Sequence, residues 1–186
     1  MNNISFHTAA FIKTLVFFLI LTVLWTFVCR AMPDPGAVLV FLTGLGFLVL
    51  FPVSIYVGMG RKQLKALVTT LVATMLVFAV GTFIIFPLVS LIADATALYA
   101  VVNSCFVAVV MTLVFDKCYG VKFRYFTMGL IFVALLLAYY LLDQYKDASD
   151  MLFGIHPRLV MFNIFQGLLL IPLALGIATG SSEEAN

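Results

Sequence analysis

Charge is what this sequence has least of. Only 10% of its 186 residues are charged, whereas a soluble domain usually carries about 25%. Hydrophobic residues make up 65% of the chain. No soluble fold could bury that much apolar surface, so the composition predicts an integral membrane protein that contacts membrane lipids. The net charge of +2 and the lack of a long basic run argue against a nucleic-acid partner.

The residue types that build catalytic and metal centres are also scarce. The chain has two histidines, His7 and His156, and the topology below places them on opposite sides of the membrane, which disfavours haem ligation by both. No His, Cys, Asp or Glu spacing fits a zinc site, and no HExxH, GxSxG or phosphate-loop motif occurs. The sequence therefore favours a protein that is not an enzyme and holds no metal or cofactor.

Cysteine is rare, and its positions do not favour a disulfide. Cys29, Cys105 and Cys118 fall at three different depths in the predicted topology, so no two could bond without moving the backbone. The N-terminal region also lacks the basic stretch and small-residue cleavage site of a signal peptide. We therefore expect the first apolar run to remain as a membrane span.

What the chain does have is long apolar runs. A helix crosses roughly 30 Å of hydrocarbon with about 20 residues, and six stretches reach that length. They are residues 12–29, 37–57, 66–87, 96–115, 125–142 and 159–178. The sequence predicts an all-α bundle of six transmembrane helices, forming a single domain over residues 1–178, with a disordered polar tail over residues 179–186.

The third and fourth spans are separated by a turn that the chain length requires. Between Ala66 and Phe115 the only charged residue is Asp94. A single helix over that stretch would measure about 75 Å, which is two crossings rather than one. Pro87, which removes an amide hydrogen, and Asp94, which can cap a helix, mark the turn. Asp94 within the bilayer would instead be a functional ionisable group, but the length places it at the turn.

The distribution of basic residues predicts the orientation. Positively charged residues favour the cytoplasmic side. With the N-terminus in the cytoplasm, seven of the ten Lys and Arg residues lie inside: Lys13, Arg61, Lys62, Lys65, Lys117, Lys122 and Arg124. We therefore predict that both termini are cytoplasmic and that the protein resides in the cytoplasmic or plasma membrane.

Small residues at helical spacing indicate which faces pack together, because lipid tails give helices no hydrophobic reason to associate. Three such faces are predicted to form the interior. They comprise Ala66, Thr70, Ala73, Val77 and Gly81 in span three; Ala97, Ala100, Ser104, Ala108 and Thr112 in span four; and Asn163, Gly167, Ala174 and Ala178 in span six.

A polar stretch, GIHPRLVMFNIFQG, begins the last span. Pro157 suits the first helical position, which places His156 at the cap and Arg158 at the interface, while Asn163 and Gln166 lie in hydrocarbon on one face. The two amides either bond to span four or line a pocket that opens outward. The candidate ligand-binding residues are His156, Arg158, Asn163, Gln166, Asn103 and Ser104.

The loop before that stretch, DQYKDASD, is a second candidate site. Asp143, Asp147 and Asp150 would share one face of a helical turn and could hold a cation at the outer surface. The glycine and final glutamate of a calcium loop are missing, so a solvated charged loop is the simpler interpretation.

Three functions remain open at this stage. The first is a bundle that binds or transports a small molecule or lipid through a polar, outward-facing pocket near span six. The second is an accessory or assembly subunit that binds a membrane-protein partner or a second copy of itself through a small-residue face. The third is an enzyme acting on a lipid at the outer surface, using His156 with the loop aspartates.

Overall fold

The computed structural model describes residues 7–31, 36–60, 63–92, 95–145 and 157–179. Within these ranges the chain forms six helices and no strands, so the predicted all-helical fold is confirmed. We number them α1 (Thr8–Arg30), α2 (Gly36–Gly58), α3 (Leu64–Ser90), α4 (Ala95–Tyr119), α5 (Arg124–Tyr145) and α6 (Pro157–Ala178). The polar tail beyond residue 179 lies outside the described residues, as does Asp94.

Four of the helices are long and apolar enough to cross a membrane. The qualifying runs are Thr8–Cys29, Leu64–Ser90, Thr96–Tyr119 and Arg124–Gln144, of 21 to 27 residues each. Their outer faces leave large apolar side chains uncovered, among them Leu19, Phe27 and Phe83, each more than 60% exposed. Water would penalise such surfaces and lipid tails would not, so the helices indicate an integral membrane protein.

The helices neighbour one another in chain order, and α6 lies at the centre of the arrangement. It contacts α5, α2, α1 and α4. Its inward face is almost completely buried at Leu169, Leu170, Leu173, Ala174 and Ile177. α3 is held differently: it packs against α2 and α4, and in the described part of the chain its backbone stays clear of α5 and α6.

Glycines bring two helix pairs, α1–α2 and α5–α6, into unusually close contact. A Cβ atom at Gly58 would lie 2.6 Å from the Cβ of Thr14, so α1 and α2 touch there almost backbone to backbone. A Cβ at Gly176 would lie 2.6 Å from Thr127 Oγ1, between α6 and α5. Small residues at such points let helices gain the dispersion contacts that hold membrane bundles together.

One end of the bundle carries most of the described basic residues, and we call it the basic end. It comprises Lys13, Lys65, Lys117, Lys122 and Arg124. The turn between α4 and α5 is fixed there by Asp116, which accepts a 2.8 Å hydrogen bond from the Val121 amide and a 2.7 Å ion pair from Arg124 Nε. The amide of His7 donates to the carbonyl of Ala178 at 3.0 Å, so α1 begins and α6 ends at this same end.

α3 contains a single π-helical turn at Gly81–Ile85, where the amide of Phe86 donates to the carbonyl of Gly81. The sequence placed the end of this span near Pro87, and the helix continues past the proline to Ser90. Proline normally clashes with the carbonyl four residues earlier. The wider π turn directly before Pro87 relieves that clash, so the helix passes through the proline.

The predicted interior faces are largely buried, with exceptions toward the helix ends. In α3, Ala66, Thr70, Val77 and Gly81 are buried and Ala73 is half-buried. In α4, Ser104, Ala108 and Thr112 are buried, whereas Ala97 is exposed near the start of the helix. In α6, Ala174 and Ala178 are buried and Asn163 and Gly167 are half-buried.

The contact at Gly58 provides a test of the packing. Gly58→Ala should destabilise the protein by about 1–3 kcal/mol, because its methyl group would overlap Thr14 and force α1 and α2 apart. The measurement is thermal unfolding in detergent. Gly129→Ala is the matched control, since nothing lies within 4 Å of the added methyl group; it should be neutral or stabilising. Equal stability of the two variants would contradict the close approach.

Candidate functional site

A cavity of about 250 Å³ lies between α3, α4, α5 and α6, where α3 stands clear of the other two helices. Most of its lining is apolar, and none of the lining residues is charged. They are Thr74, Val77, Phe78, Gly81, Thr82, Tyr99, Asn103, Val107, Met111, Ala138, Tyr139, Leu142, Phe165 and Leu169. An apolar pocket with a few polar groups is the usual form of a small-molecule site.

Asn103 is the main polar feature of the cavity, and its side chain is only 6% exposed. Its Nδ2 donates a 2.6 Å hydrogen bond to Tyr139 Oη, which ties α4 to α5. Its Oδ1 is buried and has no hydrogen-bond partner among the described residues. A buried acceptor without a partner costs about 1–3 kcal/mol, so a donor that reached this oxygen would stabilise the protein.

Two other polar lining residues, Thr74 and Tyr139, already hydrogen-bond to the protein. The Thr74 hydroxyl donates to the carbonyl of Thr70 at 2.7 Å within its own helix. Tyr139 Oη accepts from Asn103 Nδ2, and its ring contacts Tyr99 edge to face. Among the described lining residues, Asn103 carries the buried polar atom that has no partner.

Four aromatic rings form a continuous chain beside Asn103. Phe86 contacts Tyr99, Tyr99 contacts Tyr139, and Tyr139 contacts Phe165, with centroid separations of 5.2, 5.7 and 5.6 Å. All three pairs are edge-to-face, a favoured geometry that contributes about 0.5–1.5 kcal/mol each beyond burial. The rings join α3, α4, α5 and α6 at the cavity end that is farther from the basic end, so the polar end of the cavity is rigidly framed.

The predicted site residues separate into two groups in the structure. Asn103 lines the cavity, whereas Ser104 is buried outside it. Asn163 Nδ2 donates to Thr26 Oγ1 at 3.1 Å, so it bonds to α1. Gln166 is 1% exposed, and its Oε1 has no partner among the described residues. Asn163 and Gln166 are not among the residues that line the cavity.

The expectation that Asn163 bonds to span four is therefore wrong. α1 and α6 run antiparallel, as shown by the backbone hydrogen bond from His7 to Ala178. This register brings Thr26 level with Asn163 and leaves Asn103 to bond with α5. The spacing within one helix gave no information about which neighbour lies opposite.

The remaining predicted residues lie mostly beyond the described part of the chain. His156, Asp147 and Asp150 fall outside the described residues, and of Arg158 only the backbone, in the first turn of α6, is described. Asp143 is exposed near the end of α5. Among the described residues no group of three or more His, Cys, Asp or Glu side chains could hold a metal ion, and the outer cation site remains a prediction.

The three cysteines are free, as predicted. Cys29 is buried, Cys105 is exposed, and Cys118 is half-buried. None of the three lines the cavity.

Sequence reasoning did not identify Tyr99 and Tyr139 as candidate site residues. A signal was present in α4: Tyr99, Asn103, Val107 and Met111 recur at intervals of four, which places them along one face of the helix. All four line the cavity. The face was recognisable from its spacing, but its contact with α5 was not.

Comparison with protein-family models, with curated proteins and with solved structures found no match for this chain.

The hydrogen bond between Asn163 and Thr26 can be measured with a double-mutant cycle. Asn163→Ala and Thr26→Val should show a coupling energy of about 0.6 kcal/mol in unfolding experiments, the average for hydrogen bonds between membrane helices. The control cycle pairs Asn163→Ala with Ser90→Ala, because the Ser90 hydroxyl donates to Phe86 within α3. Equal coupling in the two cycles would contradict the α1–α6 contact.

Proposed function

We propose that the protein is a non-enzymatic membrane bundle that binds a small apolar molecule, or part of a lipid, in the cavity between α3, α4, α5 and α6. One observation carries the proposal. A largely apolar cavity of about 250 Å³ is lined by Asn103, whose buried acceptor Oδ1 has no partner among the described residues. The size is just below the roughly 300–1,000 Å³ range of drug-sized ligands, which suits a fragment-sized molecule or a single hydrocarbon chain.

The proposal includes the topology expected from the sequence: six spans in one domain, with both termini cytoplasmic. α2 and α6 contain 23 and 22 residues, and at about 1.5 Å per residue each is long enough to cross a bilayer. The contact between His7 and Ala178 supports an even number of crossings. In this orientation the aromatic end of the cavity lies toward the outer surface.

The attachment of α3 suggests how the cavity could exchange its ligand. α3 packs only against α2 and α4 among the described helices, and it forms one wall of the cavity. Its π turn includes Gly81 and Thr82, which both line that wall, and such turns are frequent at functional sites. A displacement of α3 would open the cavity without disturbing the contacts of α6. Transport would require such a movement to release the ligand, whereas binding alone would not.

The other two functions remain hypotheses that the described residues support less. An accessory subunit that binds a partner or a second copy would not require an apolar cavity lined by a residue with an unpaired acceptor. Catalysis on a lipid would depend on His156 and the aspartate loop, which lie largely outside the described residues. Of the wider candidate set, His156 and Arg158 would lie at an outer entrance to the cavity in this proposal, whereas Asn163, Gln166 and Ser104 do not line it.

Filling the cavity should remove its ligand. Val107→Trp places a large ring at a lining position that is only 6% exposed. Val109→Trp is the matched control, since Val109 lies two residues away on the same helix and is 40% exposed on its outer face. The measurement is quantitative mass spectrometry of the molecules extracted from each purified protein.

We expect the unmodified protein and Val109→Trp to carry a small molecule at close to one per chain, and Val107→Trp to carry much less. Equal amounts in the two tryptophan variants, both folded by circular dichroism, would contradict the proposed site.

The topology can be tested with reporters. A fluorescent protein that matures only in the cytoplasm should be bright when fused to either terminus or inserted after Gly60, and dark when inserted after residue 93 or residue 148. The basis is the excess of basic residues on the proposed inner side. The reverse pattern would show the opposite orientation, and unlike signals from the two termini would exclude six spans.

A further inference from the structure

We infer that the ligand of this cavity is an uncharged molecule with a hydrocarbon body and one hydroxyl group, an aliphatic alcohol or a phenol, whose hydroxyl donates to Asn103 Oδ1. The inference rests on the proposed function, because it assigns a chemical class to what the cavity binds. Three features of the lining support it: the lack of charge, the direction of the hydrogen bonds, and the position of the polar end.

The lack of charge excludes ionic ligands. None of the lining residues is Asp, Glu, Lys, Arg or His. An ion transferred from water into such a site would lose its hydration without gaining a counter-charge, which is strongly unfavourable. Carboxylates, phosphates and ammonium compounds are therefore poor ligands for this cavity.

The direction of the hydrogen bonds excludes ligands that only accept. The Nδ2 of Asn103 donates to Tyr139 Oη, which leaves Oδ1 as the half of the amide without a partner. A carbonyl oxygen can only accept, so the ligand must bring a donor. A ketone, an ester or an ether of the same size would leave Oδ1 unsatisfied.

Tyr139 favours a hydroxyl group over a simple N–H donor. Tyr139 Oη accepts the bond from Asn103 Nδ2, and the one phenol proton of Tyr139 therefore lies beside that amide. A ligand hydroxyl can donate to Asn103 Oδ1 and accept this proton at the same time, whereas an N–H group can only donate.

The position of the polar end sets how the ligand lies. Tyr99, Asn103 and Tyr139 form one end of the cavity, while Val107, Met111 and Leu169 form an apolar wall farther along α4 and α6. From Asn103 to Met111 the helix rises about 12 Å. The hydroxyl therefore lies at the level of Asn103, and the hydrocarbon body extends along α4 toward the basic end.

Gly81, on the α3 wall of the cavity, packs against the side chain of Asn103. A Cβ atom at Gly81 would lie 2.7 Å from Asn103 Oδ1, so the glycine in the π turn is what leaves room for this oxygen. The amide is thereby held in place before any ligand arrives, which lowers the entropic cost of binding.

The test compares two isomers that differ only in their donor. 1-Decanol and methyl nonyl ether have the same atoms, but only the alcohol can donate. Saturable binding is measured from the shift of the thermal unfolding midpoint of the full-length protein in detergent, with sodium decanoate as the charged probe. The variants are Asn103→Leu, Val107→Trp and the control Ser54→Ala, whose buried hydroxyl donates to Leu50 within α2, away from the cavity.

We expect 1-decanol to bind the unmodified protein and Ser54→Ala roughly tenfold more tightly than the ether, as one additional hydrogen bond predicts. In Asn103→Leu the two isomers should bind alike, and decanoate should not bind. Because the comparison of isomers is complete in the unmodified protein, the test does not depend on the folding of Asn103→Leu.

The outcomes separate this inference from the proposed function. If alcohol and ether bind the unmodified protein equally and both are lost in Val107→Trp, the site exists but the hydroxyl inference is overturned. Binding of decanoate as tight as that of decanol would overturn the uncharged class. If neither isomer binds saturably, or if Val107→Trp changes nothing, the proposed function fails and the inference fails with it.

Discussion

The packing of α6 against four other helices is the interaction on which the rest of the structure depends. In lipid, burial of apolar surface gives helices no reason to associate, so the bundle relies on close contact along faces that fit. The inward face of α6 is nearly free of exposed area from Leu169 to Ala178, and it fits against α1, α2, α4 and α5. α3 does not contact α6 and lies outside this arrangement. The cavity is the space between α3 and the helices that it does not contact, α5 and α6.

A single hydrogen bond then determines which polar group of Asn103 is left for a ligand in the cavity. Without the bond from Asn103 Nδ2 to Tyr139 Oη, the amide could turn either of its groups toward a ligand, and the cavity would accept donors and acceptors alike. With the bond in place, the oxygen is the group left over. The edge-to-face rings hold Tyr139 between Tyr99 and Phe165, so the packing of the aromatic residues fixes the orientation of the amide.

The helices could be predicted from sequence because the membrane thickness sets their length. Each of the six predicted stretches overlaps one helix, and the predicted C-terminal ends lie within four residues of the observed ones. At the end of α3 the helix runs three residues past Pro87, where a π turn directly before the proline accommodates it. The identification of Asn103 as a candidate also followed from composition, since an amide in hydrocarbon needs a partner.

Contacts between helices were harder to predict, for a reason that Asn163 illustrates. Its helical face was evident from spacing, but whether that face meets α1 or α4 depends on the arrangement of all six helices. The structure pairs it with Thr26 on α1. Tyr139 presents the same difficulty: the sequence shows an aromatic residue near a helix end, and only its position opposite Asn103 makes it part of the site.

The most direct test of the account is an experimental structure of the protein purified with the lipids and small molecules of its own membrane. The account predicts non-protein density in the cavity along Val107, Met111 and Leu169, ending in an atom about 3 Å from Asn103 Oδ1, the usual hydrogen-bond distance. It would be contradicted if α3 had closed onto α5 and α6 and eliminated the cavity, or if Asn103 Oδ1 accepted its hydrogen bond from another group of the protein.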